Sequence, residues 1–261
     1  MIHVRNKDML FIEAHGHVWK KLHGVRFNRQ KLISLENGRI RVGEEEMQFL
    51  PPEMRDNTCL IEVMQTYEKL FGFDKVVLLQ TPCYGEQYEY INEILKKNPE
   101  KYVSIGIGTP EDEKLYKETA RKCIGEYGYK GLKFESPDIP FDMLAPEKQF
   151  VFEELMKYNA YFVIDLGWGN GLYDFPINQM LEVARRYPDL KIILPHMGVS
   201  RLWDPKEKGN LDSLKKTLSI LEYNQNVYFD CSGIPMLATR AGEEYPWPLM
   251  QDVLKTAKSM G

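Results

Sequence analysis

The chain has 261 residues, 43% of them hydrophobic and 28% charged, and a formal net charge of −4. That size fits one large domain or two small ones, and the composition is that of an ordinary globular protein. No basic excess points to nucleic acid, no apolar run approaches the roughly eighteen residues that span a bilayer, and the N-terminus lacks the apolar centre of a secretion signal.

The first element is Met9-Leu-Phe-Ile-Glu-Ala-His15-Gly-His17-Val-Trp19. Leu10, Phe11 and Ile12 form a continuous apolar run, as in a strand buried on both faces. Side chains two apart along a strand point the same way, so His15 and His17 can share one ion. With only five histidines in the chain, such a pair stands out. The plain alternative is a surface strand that happens to carry two histidines. From Lys20 to Asn57 the pattern is irregular. Asn37-Gly38 is a hairpin-turn signal, Glu44 to Glu46 an acidic run, and Pro51-Pro52 a break. A connection this long predicts a functional loop or a small inserted subdomain.

Strands and helices then alternate. A helix is expected over Thr58 to Phe71, with Leu60, Ile61, Met64 and Leu70 on or near one face. Strands follow at Lys75–Gln80, Tyr102–Ile107, Gly131–Phe134, Tyr161–Asp165, Lys191–His196 and Asn226–Asp230. The helices between and after them are Tyr84–Lys97, Glu111–Tyr127, Lys148–Tyr158, Ile177–Tyr187, Leu211–Tyr223 and Pro248–Met260. Short β-branched strands alternating with amphipathic helices predict a parallel sheet with helices outside. The expected architecture is a (β/α)8 TIM-type barrel, a fold that takes about 250 residues. One domain spans 1–261, with residues 20–57 inserted over the barrel mouth. An open doubly wound sheet is the alternative, and the missing glycine-rich phosphate fingerprint weighs against its nucleotide-binding form.

Polar residues gather at the strand ends. His15 and His17 end the first strand, Lys133 lies on the fourth, Asp165 ends the fifth, His196 the sixth and Asp230 the seventh. In a (β/α) barrel these ends form the catalytic face. Each residue alone has an ordinary explanation: Asp165 capping the turn at Gly167, Lys133 snorkelling, Asp230 bonding Ser232, His196 satisfied in the core. Together they point to a shared site.

Glu13-Ala-His15-Gly-His17, Ile193-Leu-Pro-His196-Met-Gly198 and Val227-Tyr-Phe-Asp-Cys-Ser-Gly233 resemble motifs of the amidohydrolase superfamily. The branch resembled is the amidohydrolase-related one that includes aminocarboxymuconate semialdehyde decarboxylase and γ-resorcylate decarboxylase. The resemblance runs from Phe11 to Gly261. It implies His15 and His17 as metal ligands and His196 as an acid/base or substrate-polarising group. Glu13 stands where the family commonly has aspartate, and Asp165 where it usually has a histidine ligand. Asp165 is therefore expected as both metal ligand and catalytic group. The family's eighth strand carries an aspartate in a G-S-D motif found nowhere here, so the expectation is a chain that continues past Gly261.

These parts imply one divalent ion, zinc first and manganese second, held by His15, His17 and Asp165. The expected reaction is hydrolysis of an amide, ester or lactone of a small carboxylate-bearing substrate. The alternatives are a non-oxidative, metal-dependent decarboxylase of an aromatic or muconate-type acid, and a metal-free binding barrel. Lys133, Arg201, Arg240 and Trp19 are the expected substrate contacts. Arg26, Arg29 and Arg41 can reach over as a lid, and Trp168, Trp203 and Trp247 follow strand ends. A homo-dimer or larger homo-oligomer is expected by analogy, with no nucleic-acid or membrane partner. Cys59, Cys83, Cys123 and Cys231 form no C-x-x-C pair and read as reduced thiols of a cytoplasmic protein.

Overall fold

The computed structural model describes residues 2–4, 7–167, 176–198, 210–233 and 247–260. A short hairpin of β1 (Ile2–Val4) and β2 (Lys7–Met9) leads into β3 (Ile12–Gly16). The inserted segment then folds into an antiparallel sheet, β4 (Val25–Arg26), β5 (Gln30–Ser34), β6 (Arg39–Val42) and β7 (Glu45–Gln48), in chain order. Asn37 and Gly38 both take positive φ between β5 and β6, the conformation that hairpin turns of this type require. After α1 (Ile61–Phe71) come β8 (Lys75–Leu79), α2 (Tyr88–Lys97), β9 (Tyr102–Ile107) and α3 (Glu113–Ala120). Next are β10 (Gly131–Glu135), α4 (Phe150–Lys157), β11 (Tyr161–Asp165) and α5 (Ile177–Arg186). The last are β12 (Lys191–Leu194), α6 (Asn210–Leu218), β13 (Val227–Phe229) and α7 (Trp247–Met260).

Strands β3, β8, β9, β10, β11, β12 and β13 pair in parallel, each with its successor in the chain. A parallel sheet that never skips a neighbour and is wound with helices is a TIM-type barrel wall, here of seven strands among the described residues. Alternation along the strands splits the apolar side chains into two sets. Leu79, Ile105 and Val163, with Val77, Tyr161 and Ile193, fill the inside of the curve. Val76, Leu78, Leu132, Phe162 and Ile192 face the helices in the main core.

Two expectations need correction. The Leu10–Ile12 run is not buried on both faces: Leu10 and Ile12 are exposed. Among the described residues β3 pairs on one side, with β8, so the alternative of a surface strand describes its outer half. On α1 the buried residue is Met64, whereas Leu60 and Leu70 point to solvent, Leu70 with 69% exposure.

The inserted sheet has its own small core of Leu22, Leu32, Ile40 and Val42, closed by Trp19, Cys83 and Tyr84. Gly24 lets it approach the loop after β8, since a Cβ there would lie 1.8 Å from the Pro82 carbonyl oxygen. Asn57, fully buried and in the left-handed region, ties the far end together. Its Oδ1 accepts from Gly38 N, its Nδ2 donates to Ser34 Oγ and to the Leu35 and Arg39 carbonyls, and its own carbonyl accepts from Trp19 Nε1. No helix among the described residues is long and apolar enough to cross a membrane.

Candidate active site at the strand ends

The C-terminal ends of β3, β10, β11, β12 and β13 bring together every described ionisable residue expected at the mouth. The His15 ring centroid lies 4.8 Å from that of His17 and 4.9 Å from that of His196. His15, His196 and Asp230 offer ligand atoms all within 4.8 Å of one another. Asp165 Oδ2 is 3.5 Å from His196 Nε2.

Asp230 organises this cluster. Its Oδ2 accepts from His15 Nδ1 at 2.8 Å, joining the ends of β3 and β13. Its Oδ1 accepts from the backbone N–H of His196 at 3.1 Å, from that of Ser232 at 3.0 Å, and from Ser232 Oγ. These bonds hold His196 and Met197 at φ 57° and 56°, left-handed values that non-glycine residues rarely adopt and that neighbours must enforce. The strain turns the chain straight after β12, so that His196 lies over the mouth instead of prolonging the strand.

The three imidazoles share one pattern. His17 Nδ1 donates to the Leu79 carbonyl at 2.9 Å, His15 Nδ1 to Asp230, and His196 Nδ1 to the Ser232 carbonyl at 2.7 Å. In a neutral ring with its proton on Nδ1, the lone pair is on Nε2. Metal-binding histidines typically have such an outer partner, a carboxylate or a backbone carbonyl, on the other nitrogen. Burial pulls the pKa of His15 below its ordinary value and that of His17 well below, so both are neutral and ready to ligate near pH 7. His196 goes the other way. Burial lowers its pKa, but the hydrogen bond and charge of Asp165 outweigh that and raise it. Asp165 is pushed up by burial, yet His196 and the Lys133 ammonium bring it down to about 2. The donor set of imidazoles and carboxylate therefore fits a divalent ion.

Lys133 is 2% exposed, and its Nζ donates to Glu135 Oε1 at 2.8 Å. Trp19, expected at the substrate, is instead buried under the inserted sheet, stacked on Tyr84 at 4.4 Å with its indole N–H engaged by Asn57. Arg201, Arg240, Trp168 and Trp203 lie outside the described residues, as does the side chain of Trp247. Sequence reasoning overlooked Glu135 and Asp138, and named Ser232 only as a partner for Asp230. Ser232 Oγ lies 2.9 Å from His15 Nδ1 and 3.0 Å from His196 Nδ1. Its place in Phe229-Asp-Cys-Ser-Gly233 was the available signal.

The fold and mouth define a (β/α) barrel with a histidine–carboxylate cluster at its strand ends. More narrowly, the chain belongs to the amidohydrolase family, whose pattern it matches over residues 12–259. It is similar in structure to the probable 2-pyrone-4,6-dicarboxylic acid hydrolase of Acinetobacter baumannii, with citric acid bound. The TM-score is 0.64 and the identity 14%, over 97% of this chain and 80% of that one. An amidohydrolase of Burkholderia multivorans with bound zinc superposes with TM-score 0.62 at 12% identity, again over 97% and 80% of the two chains. Its HEPES-bound form gives 0.66 at 14% identity and the same coverage. No curated protein matches the chain in sequence.

Proposed function

We propose that this chain is a metal-dependent hydrolase that cleaves an amide, ester or lactone bond in a small carboxylate-bearing substrate. The observation that carries the reading is the common orientation of the three histidines, each with Nδ1 committed to a carboxylate or carbonyl and two of them held neutral by burial. His15 and His17 would hold one ion through Nε2, with Asp165 as the carboxylate ligand; Asp230 orients His15. Zinc suits this mixed set, and manganese is the second choice. When bound, the ion supplies Lewis acidity and a water of lowered pKa.

The remaining chemistry belongs to the chain's own residues. His196, its pKa raised by Asp165, can carry a proton near neutral pH and pass it between the water and the leaving group. Lys133 puts a cation at the mouth to meet the substrate carboxylate. Burial of these groups excludes water and strengthens each charge interaction. Arg201 and Arg240 remain candidate substrate contacts after β12 and β13. The four cysteines are free thiols, which supports a reducing, cytoplasmic setting. Self-association belongs to the same proposal, through the apolar face of α1.

Metal analysis of purified protein tests the core of this reading. About one equivalent of zinc or manganese is expected in the wild type and far less in a His15→Ala, His17→Ala double variant. Equal metal in both would end it. A screen of lactones and amides that includes 2-pyrone-4,6-dicarboxylate, run beside hydroxybenzoates, then reads the reaction. Release of carbon dioxide with the ring retained would replace hydrolase by carboxy-lyase.

A further inference from the structure

The inserted sheet does not merely lie beside the barrel; its tip grips the end of β10. Phe27, Asn28 and Arg29, between β4 and β5, take φ of 42°, 54° and 66° in succession. Three consecutive non-glycine residues in the left-handed region are disfavoured and persist only where the surroundings enforce them. Here all three backbone N–H groups are used on one short segment. Phe27 N donates to Asp138 Oδ1 at 3.0 Å, Asn28 N to the Pro137 carbonyl at 2.9 Å, and Arg29 N to the Asp138 carbonyl at 2.8 Å. Just before the turn, Arg26 Nη1 donates to Asp138 Oδ2 at 2.8 Å. Asp138 is fully buried, with both carboxylate oxygens engaged by the inserted sheet.

The grip reaches into the mouth. Arg26 Nη1 is also 3.7 Å from Glu135 Oε2, and the other oxygen of Glu135 is the acceptor for Lys133 Nζ. One buried carboxylate thus spans two cations, one from the inserted sheet and one from the barrel interior. Arg26 lies over the rings of Phe27 and Phe49, and among the described residues its buried Nε has no hydrogen-bond partner, so carboxylates and rings hold the guanidinium. Removing it leaves, among the described residues, Lys133 as the one cation paired with Glu135 and none paired with Asp138. The inserted sheet is then held to the segment after β10 by the Phe27, Asn28 and Arg29 backbone bonds without the charged one, and Glu135, drawn from one side only, no longer fixes Lys133 from both.

We infer that Arg26 is a positioning residue. Through Asp138 it latches the inserted sheet to the barrel, and through Glu135 it sets where the Lys133 ammonium stands at the mouth. The value of Lys133 to catalysis rests on the function proposed above; the latch does not.

The experiment reads both ends without any substrate. Hydrogen exchange of β5 and β6 follows the sheet, and acetylation of Lys133 by acetic anhydride, scored by peptide mass, follows the mouth. Arg26→Gln is expected to speed each by about tenfold, with exchange in α4 and α5 unchanged, the mark of local opening rather than global unfolding. Arg26→Lys should recover most of both effects. Arg29→Gln, which removes the ion pair with Glu111 and the bond from Arg29 Nη2 to the Pro140 carbonyl but leaves the Asp138 and Glu135 carboxylates paired with Arg26, should change neither. If Arg26→Gln fails to fold, Asp138→Asn tests the latch from the barrel side by exchange of β5 and β6, and Glu135→Gln tests the mouth by Lys133 acetylation, each expected to rise about tenfold. Unchanged Lys133 acetylation in a folded Arg26→Gln protein overturns the inference, as does an equal effect from Arg29→Gln or failure of both latch variants to fold. Metal content of the wild type decides the hydrolase reading independently, so the two can fail separately.

Discussion

Replacing Asp230 by asparagine separates the fold from the metal site. The side chains of His15 and Asp230 are only 6% and 9% exposed, so their bond is made away from water. Asparagine keeps an oxygen in the Oδ1 position and with it the bonds from the His196 and Ser232 backbone amides. What disappears is the charge and the Oδ2 acceptor for His15 Nδ1. A hydrogen bond to a charged group contributes about 1.5–3 kcal/mol, against a total stability of about 5–15 kcal/mol for a typical domain. Asp230→Asn should therefore fold, with a lower denaturant midpoint. Its effect on the metal should be larger in proportion. The amide NH2 now donates where the carboxylate accepted, so His15 must accept on Nδ1 and carry its proton on Nε2, the nitrogen needed for the ion. Loss of an outer partner of this kind costs roughly 10–100-fold in metal affinity. Titration calorimetry with zinc, on protein shown to be folded by circular dichroism, measures it. Zinc affinity equal to wild type would refute the tautomer argument and the assignment of His15 as a ligand.

Other outcomes follow from the same contacts. The pKa values of buried His15 and His17 are depressed, so the unfolded chain takes up protons first as pH falls below about 6.5. The stability they lend is whole above that pH and is lost as pH falls toward their folded pKa values; urea midpoints of metal-free protein should drop over that interval, and less so in His17→Ala. Asp230 is also held below the usual carboxylate range, burial being outweighed by His15 and Ser232, so its contribution is lost only below about pH 3.9. Asn57→Ala removes the four side-chain hydrogen bonds to Gly38 N, Ser34 Oγ and the Leu35 and Arg39 carbonyls, and should cost about 3 kcal/mol; a urea midpoint matching wild type would contradict this. Val63, Tyr67, Leu70 and Phe71 form an exposed stripe on α1 at helical spacing. If self-association uses this face, Leu70→Glu with Phe71→Glu should lower the sedimentation coefficient to that of a monomer, and an unchanged coefficient would place the contact elsewhere.

The interior strands were legible in the sequence almost to the residue. Tyr102–Ile107 and Tyr161–Asp165 are short apolar runs bounded by turn residues, and local pattern suffices for them. The first strand was legible as a strand but not in its burial. Whether Ile12 is covered depends on what pairs with the outer edge of β3, a fact about topology that no local window contains. His196 was visible as a strand-end polar residue, but its left-handed backbone was not. That conformation exists because Asp230, 34 residues away, accepts from its N–H. Arg26 could be read only as one of three arginines able to reach over as a lid, because its partner Asp138 is 112 residues distant. Asp138 itself sat in a proline-interrupted loop with no periodic signal to mark it.

What escaped sequence reasoning is therefore of one kind: side chains whose partners are set by closure of the sheet. The His15–Asp230 bond spans 215 positions and joins β3, one edge of the sheet, to the chain just past β13, the other edge. Among the described residues β3 and β13 are not ladder neighbours, and the His15–Asp230 bond links their ends at the mouth. The same carboxylate bends the backbone at His196 and orients His15. The edge-to-edge clasp and the geometry of the centre thus depend on the same side chain. A sequence pattern can mark Asp230 as polar at a strand end, yet its two roles emerge only when the first and last strands meet.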